Sequence, residues 1–345
     1  MGAFMAVDPA TGKAFAEIPR TAPEQARAMI DDARRALAAE AEWRDGEARV
    51  RVLRDVARAL AADADALAEL ETRDTGIPLR HARRAVAAAV RHFERVAAPL
   101  GEARPGAWAL PHPWGVCALL LPAEPPLERT ARFLAAALAA GNAALVRPDD
   151  ALAITPLRLA QLADEAGVPR GLVQVATGGT EALLAGADHL TLSAPTPATV
   201  PFVLEPAGPP TAIVFADAGA DFPLPAPWHA RILVERTAYD ALRARLDTAR
   251  AALTVGPGVE DPDVAPPTVD LDAAVTLAPF DHEPEAIAQA AGAVSVWTRD
   301  LARAHRVAAA LSADRVALNG DPAATPDPAL YTRRKRVTLS TPTGR

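Results

Sequence analysis

The chain is poor in two side chains that form covalent intermediates in enzymes. It contains a single cysteine, Cys117, so no disulfide can form within it, which fits a reducing compartment such as the cytoplasm. Its only lysines are Lys13 and Lys335, and this leaves few candidates for Schiff-base chemistry. We expect Cys117 itself to be inert, because it lies in an apolar strand pattern that predicts burial.

Long apolar runs and aromatic rings are also scarce, and acidic side chains outnumber basic ones. No apolar stretch is long enough to span a bilayer, and no secretory signal opens the sequence, so we predict a cytoplasmic protein with no membrane partner. The net charge of −7 argues against nucleic acid as the main partner, because phosphate binding needs clustered basic side chains. No His, Cys and Asp grouping has metal-ligand spacing, so we predict no metal site.

What the chain does contain is regular α/β patterning. After a short hairpin over residues 1–20, Thr21 and Glu24 predict a capping box at the start of the first helix. Further helices are predicted over 47–62, 63–72 and 79–98. An alternation of strands and helices then follows, with these predicted limits: strands 115–121, 143–146 and 172–176, and helices 127–140 and 155–166. Such alternation predicts a parallel sheet with helices on both faces.

Several motifs, in chain order, resemble the aldehyde dehydrogenase superfamily. Residues 70–78 (LETRDTGIP) resemble the family's "LE…DTGKP" helix end, and residues 113–116 with 121–122 resemble the strand before its active-site loop. Residues 135–148 resemble "PALAAGNTVVLKP", and residues 165–178 resemble "EAGLPPGVVNVVTG". Later blocks at 286–288, 297–304, 318–319 and 331–335 follow in the family's order. The chain is therefore identified as a shortened, divergent member.

The resemblance implies an α/β fold with a parallel Rossmann-type sheet, a reduced second α/β lobe and a small oligomerisation element. We expect a cofactor-type domain over residues 1–215, in which a hairpin at 106–121 forms part of the oligomerisation element. A reduced catalytic-type lobe is expected over 216–320, and a C-terminal oligomerisation strand and tail over 321–345. These elements imply a homo-oligomer, or a hetero-oligomer with a related protein.

The resemblance also locates the family's chemistry, and here the sequence departs from it. In the family a cysteine thiolate attacks the aldehyde, hydride passes to nicotinamide, and water activated by a glutamate releases the acid. The nucleophile position falls near Ala226, which has no nucleophilic atom. The asparagine that donates to the oxyanion corresponds to Glu124, whose ionised carboxylate would repel a developing negative charge.

The general base is kept and the dinucleotide site is altered. Glu205 stands at the base position of "ELGGK", although a solvated glutamate in a proline-rich loop is the simpler interpretation. The cofactor loop is reduced to Ser193 and a proline-rich stretch, which lacks the free amide groups that hold a pyrophosphate. Arg147, followed by Pro148, replaces the family's adenosine-side lysine. The sequence thus predicts no bound cofactor, with NAD or NADP bound only if a redox role survives.

Three hypotheses remain open from the sequence. The first is a noncatalytic homologue, or pseudoenzyme, that acts as a partner subunit. The second is a divergent enzyme, either an NAD(P)-dependent oxidoreductase acting on an aldehyde or a non-redox enzyme that uses Glu205 and Glu124 as a carboxylate pair. The third is a decaying gene, against which the regular helices argue.

Overall fold

The computed structural model describes most of the chain. The described residues are 2–96, 102–104, 107–121, 126–149, 152–192, 200–204, 211–224, 230–254, 256–262, 275–313, 316–320 and 328–338. The chain divides into two compact units, one made of Met1–Glu205 with Thr325–Arg345 and the other of Pro206–Ala324. Each unit contains its own five-stranded parallel sheet, as the α/β patterning predicts.

The helices of the first unit precede its sheet in the chain or alternate with its strands. They are α1 (Pro23–Ala39), α2 (Gly46–Ala62), α3 (Ala64–Thr75), α4 (Leu79–Val96), α5 (Pro126–Ala139), α6 (Ile154–Glu165) and α7 (Thr180–Gly186). The capping box predicted at Thr21 is wrong by one residue, because Ala22 is the N-cap residue and Gln25 accepts a hydrogen bond from its backbone N–H at 2.8 Å. Helix α3 ends at Gly76, whose φ of 82° is the left-handed conformation that glycine adopts readily.

Among its described residues, the first unit has nine strands before the chain enters the second unit. They are β1 (Ala3–Val7), β2 (Ala14–Pro19), β3 (Glu102–Arg104), β4 (Ala107–Pro113), β5 (Val116–Leu120), β6 (Ala143–Arg147), β7 (Val173–Val175), β8 (His189–Leu192) and β9 (Phe202–Leu204). Strands β1 and β2 form the expected hairpin. The parallel sheet has the order β7-β6-β5-β8-β9. Its central strands are continuous apolar runs because helices α1 and α5 both pack against β5 and β6.

The second unit is a smaller α/β layer with the same construction. It contains β10 (Thr211–Val214), β11 (Ala230–Glu235), α8 (Arg236–Ala251), β12 (Val275–Phe280), α9 (Glu283–Gln289), β13 (Val294–Trp297), α10 (Leu301–Ala310) and β14 (Val316–Leu318). The sheet order is β12-β11-β10-β13-β14. Strand β10 pairs on both sides within this sheet, so the boundary expected at residue 215 lies before it, near residue 205.

A small antiparallel sheet joins the two chain segments that make up the first unit. Strand β15 (Thr332–Thr338) pairs with β4, and β4 pairs with β3. The hairpin expected over 106–121 is therefore wrong, because β4 lies in this small sheet whereas β5 lies in the parallel sheet between β6 and β8. The buried apolar sequence of β5 requires cover on both faces, and a two-stranded hairpin could not supply it.

Candidate functional site

The carboxyl ends of β5 and β8 mark the place in the first sheet where a ligand is expected. The chain passes from β5 to β6 and β7 on one side, and then returns to β8 and β9 on the other. The strand order therefore reverses between β5 and β8. Parallel α/β sheets bind ligands outside the carboxyl ends of their strands at such a reversal, so this edge is the candidate site.

The structure places two of the predicted site residues at this edge, Arg147 and Pro148. The remaining positions lie outside the described residues: Glu124, Ser193, Glu205 and Ala226. The carboxylate pair, the loss of the nucleophile and the altered cofactor loop therefore stay predictions. The neighbouring residues that the structure does describe have contacts that constrain what this edge can do.

Arg147 closes β6 and turns toward the first residue of α7. Its Nε donates a hydrogen bond to the hydroxyl of Thr180 at 3.1 Å, and its guanidinium also donates to the carbonyl of Pro148. The side chain is half-buried. These contacts hold the charge at the carboxyl edge of the sheet, where an arginine suits an anionic group.

The loop between β7 and α7 packs against the segment just before α1 and forms hydrogen bonds with it. The backbone N–H of Thr177 donates to the hydroxyl of Thr21 at 2.9 Å, and the Thr177 hydroxyl donates to the carbonyl of Pro19 at 2.6 Å. A Cβ added at Gly178 would lie 2.4 Å from the carbonyl oxygen of Thr21. The glycine therefore permits close approach of two protein segments, and its place in the motif is explained without a bound phosphate.

We expect Gly178→Ala to lower the free energy of unfolding by about 1–3 kcal/mol, the usual cost of inserting a methyl group into a packed site. The clash is with backbone, so the chain itself must shift. Urea unfolding would measure the change. Gly46→Ala is the matched control, because a Cβ there meets only a guanidinium nitrogen of Arg49 at 3.8 Å. Equal stability of the two variants would contradict the packing role of Gly178.

Cys117 lies in the middle of the same sheet and is fully buried. Its register partners are Ala144 on β6 and His189 on β8. Burial raises the pKa of the Cys117 thiol well above its ordinary value, and the nearby Asp188 carboxylate raises it further. The thiol is therefore protonated at neutral pH, whereas thiol chemistry requires the thiolate.

A buried aromatic cluster lies beside β8. The ring of His189 is 5.1 Å from that of Tyr331 and 6.1 Å from that of Trp114, measured between centroids. The Tyr331 hydroxyl and the Thr191 hydroxyl are 2.8 Å apart, and Asn142 Nδ2 donates to the Tyr331 carbonyl at 2.9 Å. Burial lowers the pKa of His189 to about 4, and a hydrogen bond with the backbone of Leu330 opposes part of that shift.

Two buried carboxylates at the end of α3, like His189, are titratable groups that the sequence did not single out. Glu71 accepts hydrogen bonds from the backbone N–H of Leu127 at 3.3 Å and from the hydroxyl of Thr155 at 2.6 Å. Asp74 is only 3% exposed, and neither of its oxygens accepts a hydrogen bond of good geometry from the described residues. Their spacing of three residues within a helix places both on one face.

Burial raises the pKa of Asp74 from 3.8 to about 7, although the backbone N–H groups of Ile154 and Thr155 at the start of α6 oppose the shift. A carboxyl group with this pKa changes its charge near neutral pH. The carboxyl group lies against the N-terminus of α6, which follows β6 at the carboxyl edge of the sheet. Because its pKa is raised by burial, Asp74 makes a pH-dependent contribution to the stability of the folded protein.

Within the described ranges, no group of three or more His, Cys, Asp and Glu side chains is placed to hold a metal ion. None of the helices that the structure describes has the length and apolar character needed to cross a membrane.

The comparisons with known proteins agree with the fold. The sequence model of the aldehyde dehydrogenase family matches residues 2–194. A hydroxyisobutyraldehyde dehydrogenase of Mycolicibacterium austroafricanum is 35% identical over 196 residues, which are 54% of this chain and 39% of that protein. A non-phosphorylating aspartate-semialdehyde dehydrogenase of Halomonas elongata is 32% identical over 295 residues, 73% of this chain and 59% of that protein.

A solved structure extends the likeness beyond the matched sequence. The crystal structure of an NAD-dependent aldehyde dehydrogenase from Sinorhizobium meliloti superposes with a TM-score of 0.85 at 21% identity, covering 99% of this chain and 93% of that one. At this identity the likeness shows the fold. The chain spans only part of the length of the two curated relatives, between 39% and 59%. The family model matches more than half of the chain, and the protein belongs to the aldehyde dehydrogenase family.

Proposed function

We propose that this protein is a noncatalytic family member that acts as a partner or regulatory subunit and does not oxidise aldehydes through a cysteine. One observation carries the proposal. The only thiol of the chain, Cys117, is 0% exposed on the central strand β5, and burial together with Asp188 raises its pKa. A protonated thiol without access to solvent cannot attack a carbonyl carbon.

The partner role is supported by the small antiparallel sheet. Its order is β15-β4-β3, so β15 is an edge strand in the described structure. An edge strand offers backbone N–H and C=O groups that a strand of another chain can pair with. We propose that a second copy of this chain or a related family member associates through this edge.

Thiol modification tests the observation directly. We expect a chromogenic disulfide reagent to modify no thiol in the folded protein and one thiol per chain after unfolding in guanidinium. In an assay with a panel of aldehydes and either dinucleotide, Cys117→Ala should match the unchanged protein. Rapid modification of the folded protein, or a turnover that Cys117→Ala abolishes, would contradict the proposal.

A divergent NAD(P)-dependent oxidoreductase is the second candidate, and the names of the relatives favour it. The two curated relatives are named as dehydrogenases, and the Sinorhizobium meliloti protein is named as an NAD-dependent aldehyde dehydrogenase. Calorimetry with NAD(H) and NADP(H) separates the two candidates. The noncatalytic role predicts no saturable binding tighter than a Kd of about 1 mM. Micromolar binding would favour the oxidoreductase and make Glu205→Gln the next variant to assay.

A further inference from the structure

Helices α2 and α4 concentrate positive charge in a chain that is acidic as a whole. The two helices pack against each other. Together they contain nine arginines and three carboxylates, whereas the full chain has 36 basic and 43 acidic side chains. The charge of these two helices is therefore opposite in sign to that of the rest of the protein.

Most of these arginines are not neutralised by neighbours. Arg58 pairs with Asp55, and Arg83 lies 3.5 Å from Asp65. Five others are exposed and have no ion-pair partner among the residues that the structure describes: Arg51, Arg54, Arg84, Arg91 and Arg95. An unpaired, exposed guanidinium is weakly hydrated and pairs readily with carboxylates, often through two parallel hydrogen bonds.

A groove runs between the two helices through this charged surface. Its volume is about 400 Å³, and its lining residues are Arg54, Ala57, Arg58, Ala61, Val90 and Glu94. The floor is made of small aliphatic side chains and one wall is cationic. No aromatic ring lines it, so it lacks the surface on which nucleic acid bases stack. These features suit an acidic segment that also presents aliphatic side chains.

We infer that the groove between α2 and α4, hereafter the cationic groove, binds an acidic helical segment of another protein. This inference rests on the proposed partner role and identifies the chemistry of the partner. Carboxylates of the segment pair with Arg54 in the groove and with exposed arginines elsewhere on α2 and α4, and its aliphatic side chains cover Ala57, Ala61 and Val90. Glu94 lies in the same groove, so the segment must place an uncharged residue opposite it.

The test uses a fluorescein-labelled synthetic helix of glutamate, alanine and leucine, followed by fluorescence anisotropy with the full-length protein. We expect saturable binding that weakens as salt rises from about 0.02 to about 0.3 M, because the Debye length shortens. A peptide with glutamine in place of glutamate should not bind. The double variant Arg54→Glu with Arg91→Glu should weaken binding by about tenfold, as two reversed surface pairs imply.

Two further variants make the result specific. Arg27→Glu on α1 is the matched control, because Arg27 is also exposed without an ion-pair partner in the described structure, and it should change affinity by less than about twofold. Glu94→Gln should tighten binding of the uniformly acidic helix. All of these side chains are exposed, and thermal unfolding will establish that each variant is folded.

Several outcomes would overturn the inference. They are absence of peptide binding, equal loss of binding in the Arg27 control, tighter binding of an RNA oligonucleotide than of the peptide, and self-association through Arg54 and Arg91. None of them bears on the proposed noncatalytic role, which is judged by thiol modification and dinucleotide binding. Conversely, a reactive Cys117 would contradict the noncatalytic role, and peptide binding to the cationic groove would still be judged by its own measurement.

Discussion

At about pH 8 we expect Asp74→Asn to be more stable than the unchanged protein by about 2–4 kcal/mol, and at about pH 4 we expect no difference. The pKa of Asp74 is raised from 3.8 to about 7 by burial. Between these values the unfolded chain has lost the proton that the folded chain keeps, so the stability of the unchanged protein falls as pH rises. Asparagine has no proton to lose, and the penalty disappears.

His189 should act in the opposite direction over nearly the same range. Its pKa is lowered from 6.5 to about 4, so between these values the unfolded chain holds a proton that the folded chain does not. Stability from this group is therefore present above about pH 6.5 and is lost as pH falls toward 4. In the unchanged protein the two contributions oppose each other. Substitution of Asp74 leaves the contribution of His189 visible, and substitution of His189 leaves that of Asp74 visible.

Urea unfolding at a series of pH values between 4 and 8 would measure both effects as differences from the unchanged protein. The stability of His189→Phe, which keeps an aromatic ring in the cluster, should rise relative to the unchanged protein as pH falls. The double variant Asp74→Asn with His189→Phe lacks both contributions. The slope of its unfolding free energy against pH should therefore differ little from that of the unchanged protein. A difference between Asp74→Asn and the unchanged protein that does not change with pH would show that Asp74 is not buried as a titrating group.

We expect Tyr331→Ala to reduce the free energy of unfolding by about 3–5 kcal/mol, the usual cost of removing a fully buried aromatic ring. Tyr331 is 0% exposed and precedes β15. Its ring packs on His189 and its hydroxyl meets that of Thr191. The substitution should therefore loosen the docking of β15 on β4, which hydrogen exchange of the β15 amides would detect.

Tyr331→Phe separates the ring from the hydroxyl. It keeps the packing and leaves the Thr191 hydroxyl without this partner, so we expect a cost of about 1–2 kcal/mol. Leu330→Ala, at an exposed neighbouring position, should change stability little. If Tyr331→Ala and Leu330→Ala had similar stabilities, the anchoring role of Tyr331 would be wrong.

Elements fixed by local pattern could be predicted from the sequence, and those fixed by distant partners could not. The alternation of β5, α5, β6, α6 and β7 is indicated by apolar patterns within each segment, so it could be predicted locally. The resemblance also identified the correct family. The hairpin at 106–121 failed because the partner of β4 is β15, with Thr332 opposite Pro113. No local signal in either strand specifies that register.

Side-chain partners followed the same rule. Thr21 satisfies the local pattern of a capping residue, but its hydroxyl instead accepts a hydrogen bond from Thr177, which is 156 positions away in sequence. Asp74 belongs to a motif that the resemblance used, yet its raised pKa depends on burial against the start of α6. Burial of that kind depends on contacts between distant segments, so it could not be predicted from composition or local sequence. Arg147 ends the strand that the sequence predicts over residues 143–146, and its role in binding a cofactor stays a prediction.

The interruption of the first unit by the second has a consequence for synthesis on the ribosome. Residues up to Glu205 emerge first, but the segment from Thr325 onward, which contains Tyr331, emerges only after Pro206–Ala324 has been made. At about 5–20 residues per second this delay is on the order of ten seconds. During this delay the nascent sheet lacks Tyr331, whose ring packs on His189 and whose hydroxyl forms a hydrogen bond with that of Thr191. The second unit is continuous in sequence and can complete its own core during that interval. The first unit is completed only when the C-terminal segment has been synthesised.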